Sequence, residues 1–130
     1  MLTRDGVREI ENAYAFRYPE SFLARLAEIV SVIDSERFCD NFSGATLLAS
    51  VSEIQAACKD IPDCLQPFMI VNDVQATSDI YAFERTNNWQ EPRIVVWCDH
   101  AIVRYWDGFP EFWRWVQGLI QNNPKAGPIR

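Results

Sequence analysis

Pro67-Phe68-Met69-Ile70-Val71, Ile80-Tyr81-Ala82-Phe83 and Ile94-Val95-Val96-Trp97-Cys98-Asp99-His100 are three apolar runs in close succession, and Phe109-Pro110-Glu111-Phe112-Trp113-Arg114-Trp115 follows them. Runs of β-branched and aromatic residues bounded by Asn, Asp, Pro and Gly read as strands. The intervals between them suit hairpins rather than crossover helices. Strands near 67–72, 79–84 and 93–98, with a further one at 102–106, therefore predict a mostly antiparallel sheet of about four to six strands. The closing segment changes to helical period: it opens at Asp107 or Phe109 with Pro110 in its first turn, and Phe109, Phe112, Trp113, Val116, Leu119 and Ile120 line its apolar face. Trp113 belongs to that face, whereas Trp115 lies about 200° further round and is partly exposed.

Upstream, Val7, Ile10 and Tyr14 make the stripe of a short amphipathic helix capped by Thr3. A second helix starts at Pro19 and carries Phe22, Leu26, Ile29, Val30 and Ile33. Residues 34–45 read as loop, and Ala45-Thr46-Leu47-Leu48-Ala49 is open between a short strand and a helical turn. Ser50 and Glu53 form a capping box for a helix carrying Ile54, Ala57 and Cys58 that ends before Pro62. The whole predicts one α+β domain over residues 1–122, with helices at its N-terminus, a helix at its end and a flexible tail over 123–130.

Composition narrows the function classes. Aliphatic and aromatic content of 48% and charge of 23% fit a packed domain, not a disordered chain. No apolar stretch has the length of a membrane span or a signal-peptide core, so the expectation is a soluble cytoplasmic protein. Cys39, Cys58, Cys64 and Cys98 lack metal-finger or CxxC spacing and read as small core residues. No metal and no cofactor are expected. The chain carries a net charge of −6, with seven acids against two basic residues over 41–91. That balance disfavours nucleic acid, whose affinity rests on neutralised phosphates.

The order of these pieces resembles a known family. A helix, then Tyr18-Pro19-Glu20-Ser21-Phe22, Leu65-x-Pro67-Phe68, Asp79-x-Tyr81-Ala82-Phe83-Glu84, Pro92-x-Ile94-Val95-Val96-Trp97-x-Asp99-His100 and Phe109-x-x-Phe112-x-x-Trp115 is similar to the SUKH superfamily over roughly residues 7–120. The chain departs from its usual Asn-Gly-Gly-like turn, with Asp34-Ser35-Glu36-Arg37 in that place. The resemblance implies an α+β domain that acts by binding another protein. In bacteria that partner is often a nuclease or deaminase toxin, which an immunity protein masks.

On this reading the partner is a basic protein toxin or effector domain. The candidate contacts are the carboxylates of Asp73, Asp79, Glu84 and Glu91, as an acidic face, and the indoles of Trp89 and Trp115, as anchors. The ordinary readings stand beside these: Asp-rich turns are common on surfaces, and tryptophans pack over sheet edges. Cys98-Asp99-His100 is the one cluster combining nucleophile, acid and base types. Read as strand, it puts Cys98 and His100 on one face and Asp99 on the other, which does not converge, so no residue is assigned to catalysis. Two alternatives remain: a regulatory adaptor with an endogenous partner, and a small enzyme using His100 with nearby acids.

Overall fold

The structure is a computed structural model that describes residues 1–33, 45–72, 78–86 and 90–122. All but Ala45 of the loop expected over 34–45, the tail over 123–130, and Cys39, Asp73 and Trp89 lie outside the described residues. Among the described residues, five helices and five strands follow in the order α1 (Arg4–Tyr14), α2 (Glu20–Leu23), α3 (Leu26–Ile33), β1 (Ala45–Leu47), α4 (Val51–Ala57), β2 (Leu65–Asn72), β3 (Ser78–Glu84), β4 (Ile94–Cys98), β5 (Ala101–Trp106) and α5 (Phe109–Asn122). The α+β class, the antiparallel sheet, the N-terminal helices and the C-terminal helix are those expected from the sequence.

Local signals explain the helix boundaries. Thr3 Oγ1 accepts the Gly6 N–H at 3.1 Å and starts α1. Ala15 stops it in the left-handed region at φ 51°. Ser50 Oγ accepts the Glu53 N–H at 3.2 Å, and the Glu53 carboxylate reaches back to the Ala49 N–H at 3.3 Å. Both caps satisfy amides that a helix start leaves unpaired. The helix expected to run on from Pro19 is broken: α2 ends at Leu23 and α3 begins at Leu26. The break lets Phe22 enter the ring cluster while Leu26, Ile29, Val30 and Ile33 pack further along.

The sheet runs β1-β2-β3-β4-β5, every neighbour antiparallel. The undecided segment at Ala45 is a strand, pairing Ala45 with Val71 and Leu47 with Met69. In β2 the register shifts between Pro67 and Met69, so Phe68 is an extra residue opposite β3. That bulge lets two consecutive side chains, Phe68 and Met69, both be buried. On the helix side, Phe83 has no exposed surface and lies 4.5 Å from the Phe68 ring, 5.6 Å from Phe16, and 5.7 Å from Tyr18 and Phe22. Phe112 of α5 adds contacts to Phe68, Tyr81 and Trp106. These rings hold the helices to one face of the sheet, where offset and edge-on geometries are favourable. No helix of the described residues is long and apolar enough to cross a membrane.

Candidate binding surface

The register fixes what the other face of the sheet displays. Ile70 pairs with Ile80, Ile80 with Trp97 and Trp97 with Ile102, which is an apolar row across four strands. Beside it, Pro67 pairs with Ala82, Ala82 with Val95 and Val95 with Tyr105. Alternate residues of a strand share a face, so both rows lie opposite the ring cluster. Leu65, Ala82 and Val95 are buried there in a small second core flanked by Ile61 and Trp97, built from strand and loop residues. Towards β5 the cover ends. Ile102, Val103 and Tyr105 are 45%, 61% and 54% exposed, unlike the apolar side chains of the strands inside the sheet. Contiguous apolar exposure of this kind marks interaction sites more often than scattered single residues do.

β5 is the last strand of the sheet, and its register shifts so that Val103 is the extra residue between the Ile102–Trp97 and Arg104–Val96 pairs. A bulge and a charged residue on an edge strand hinder addition of a further strand. The surface therefore presents side chains rather than a free ladder of backbone groups.

Two arginines frame it. Arg93 donates to both oxygens of Glu84 at 2.8 and 2.7 Å, and its guanidinium lies 4.6 Å over the Tyr105 ring. The hydrogen bond from Arg93, aided by its charge, holds the Glu84 carboxyl below the usual range against a smaller effect of burial. On the helix side, Arg104 lies between two indoles, 4.7 Å from Trp106 and 4.6 Å from Trp115. A guanidinium stacked in this way keeps its N–H edges free to point outward.

Among the described residues, Asp79, Glu84 and Glu91 do not share one face. Asp79 shares the helix side of β3 with Tyr81, where its charge helps burial raise the Tyr81 hydroxyl to about 12. Glu84 is on the opposite side, about 17 Å further along the strand at about 3.3 Å per residue. Glu91 accepts from Ser21 Oγ at 2.9 Å and from the Phe109 N–H at 3.0 Å, which makes it an internal brace for α5. Trp115 is half-buried against Trp106 and Phe112 as expected, and Trp113 is buried with its Nε1 donating to Glu28 at 3.3 Å.

Two further expectations are corrected. The face argument for Cys98-Asp99-His100 does not hold, because Asp99 and His100 lie past the strand, as its expected end at 98 implies: they form the turn joining β4 to β5 at φ 52° and 66°, with Cys98 paired to Ala101. Both central residues of a two-residue hairpin turn take positive φ, so the pair is exposed at a tip. Of the described cysteines only Cys58 is buried; Cys98 is half-buried and Cys64 exposed. Sequence reasoning missed β5 as the exposed apolar strand, because Ile102-Val103-Arg104-Tyr105 has the composition of an ordinary half-buried strand.

Among the described residues no group of three or more His, Cys, Asp or Glu side chains is placed to hold a metal ion. Comparison of the chain with protein-family models, curated proteins and solved structures gave no match.

Proposed function

We propose that the protein works by binding another protein, through the solvent end of the apolar rows formed by Trp97, Ile102, Val103 and Tyr105. The observation that carries this reading is the exposure of three large apolar side chains on one edge strand. Their burial against a partner is favourable at roughly 25 cal/mol per Å² before the costs of association. An aromatic and an arginine, types that concentrate binding energy, meet on this face where Arg93 lies over the Tyr105 ring.

Together with the SUKH resemblance, this favours an immunity protein in the cytoplasm that masks a cognate toxin or effector domain. The net charge of −6 steers a basic partner at long range, while apolar area holds it once docked. The test is a pull-down of the tagged protein from its native host, followed by expression of the recovered partner's toxic domain with and without this chain. Rescue of growth by stoichiometric complex formation is the expected result. A partner that is harmless alone would replace the immunity reading by a regulatory adaptor.

A further inference from the structure

A cleft of about 750 Å³ opens on the side of the molecule away from β5, between the end of α1, the end of α4 and the start of β2. Tyr14, Ile54, Cys58, Ile61, Gln66 and Arg85 are among its walls. Its size is that of a small-molecule site. β1 pairs only with residues 69–71, so Leu65, Gln66 and Pro67 are left to line it.

Gln66 is 1% exposed and is the buried polar residue of the described core. Its Oε1 accepts from Arg85 Nη2 at 2.8 Å, and the same Nη2 donates to the Tyr14 carbonyl. These bonds fix the orientation of both groups. They also leave Gln66 Nε2 and Arg85 Nε buried without a hydrogen-bond partner. Buried polar groups in folded proteins are nearly always paired, and an unpaired donor is costly. Among the described residues the ion pairs are Arg25–Glu28 and Arg93–Glu84, and the half-buried Arg85 guanidinium donates to two neutral oxygens. Two unsatisfied donors beside one cleft, one of them on a guanidinium, call for an acceptor, and the guanidinium favours an anionic one.

We infer that this cleft binds a monocarboxylate with an apolar body, its two oxygens received by Gln66 Nε2 and the Arg85 guanidinium. A planar carboxylate suits a guanidinium and an amide side by side, and charge-assisted bonds of this kind are the stronger ones. Ile54, Ile61, Leu65 and Pro62 supply the walls for the apolar body. Burial pushes the Cys58 thiol up to about 11, so it is an uncharged part of the same wall. Lys59 and Asp63, also at the cleft, offset one another in charge. The two nitrogens are closed to water in this state. A ligand reaches them if the Gln66 or Arg85 side chain turns outward, exchanging its present bond for one to the carboxylate. The carboxylate belongs either to a free acid or to the C-terminus of a peptide.

The experiment is a titration of the ¹⁵N-labelled protein, read at the Gln66 amide and Arg85 Nε resonances. The probes are octanoate, octanamide, and a short aliphatic peptide with a free or an amidated C-terminus. Saturable shifts at both nitrogens with a Kd of about 1 mM or tighter are expected for one of the acids, and at least about tenfold weaker binding for its uncharged counterpart. Octanoate alone would identify a free-acid site, and the free-ended peptide alone a C-terminus site. Q66E places a carboxylate beside Arg85 within the chain, and it is expected to abolish binding. Absence of saturable shifts with either acid, equal binding of the amides, or unchanged binding by a folded Q66E overturns the proposal. The wild-type titration decides alone if Q66E does not fold.

Discussion

Glu91 Oε1 accepts the backbone N–H of Phe109 at 3.0 Å and, from 70 residues away in sequence, the Ser21 hydroxyl at 2.9 Å. One carboxylate thus ties the first amide of α5 to the start of α2. It also occupies the end of a helix where a negative charge is favoured. Gly108 is fitted to it, since a Cβ there would stand 2.9 Å from Glu91 Cγ. Glu91→Ala is expected to destabilise the fold by about 2 kcal/mol, combining a lost cap with a lost side-chain bond. Chemical denaturation of the two proteins checks this.

Tyr18 is a case of the opposite sign. Its ring packs among Phe16, Phe22 and Phe83, but its hydroxyl is buried without a partner. Burial, with the Glu11 charge, raises that hydroxyl well above the usual tyrosine range. Tyr18→Phe keeps the packing and removes an unsatisfied polar atom. It is expected to be neutral or to stabilise by up to about 1 kcal/mol. A melting temperature below that of the wild type would contradict this.

The Glu84–Arg93 pair sets a pH dependence. The Glu84 carboxyl titrates lower in the folded chain than its ordinary value because Arg93 bonds its charged form. Its contribution is therefore present above the unfolded value and is lost as pH falls through the folded one. The Arg93 side chain is 40% exposed, so solvent screening keeps the contribution to about 1 kcal/mol or less. The stability difference between the wild type and Glu84→Gln is expected to be full at neutral pH and to close as pH falls below the usual glutamate range through the lowered folded-state value. A difference that does not change with pH would assign the effect to hydrogen bonding alone.

Much of the fold was legible because its signals are local. The β-branched runs became β2 to β5, Thr3 and Ser50 became caps, and Pro19 and Pro110 marked helix starts. The site was less legible because it depends on pairing. Glu84 and Glu91 look like free surface acids in the sequence. Their partners, Arg93, Ser21 and the Phe109 amide, are brought to them only by the sheet and by α5. The expected strand over 93–98 stops short of Asp99-His100, but the tight two-residue turn is fixed only by the pairing of Cys98 with Ala101. The exposure of Ile102, Val103 and Tyr105 follows from β5 being the last strand, which composition does not encode. The bulges at Phe68 and Val103 likewise appear only once registers are compared across strands.

Binding of a partner protein at the exposed end of the apolar face can be tested by substitution at β5. The most direct measurement compares the wild type with the double substitution Val103→Lys and Tyr105→Asp in the growth-rescue assay with the partner recovered from the host. Melting temperatures of the two proteins are measured alongside. Both positions are exposed, so the fold is expected to keep its stability within about 1 kcal/mol. The variant is expected to stay folded, to lose at least about a hundredfold in affinity, and no longer to protect. A folded variant that binds and protects as well as the wild type would contradict this reading.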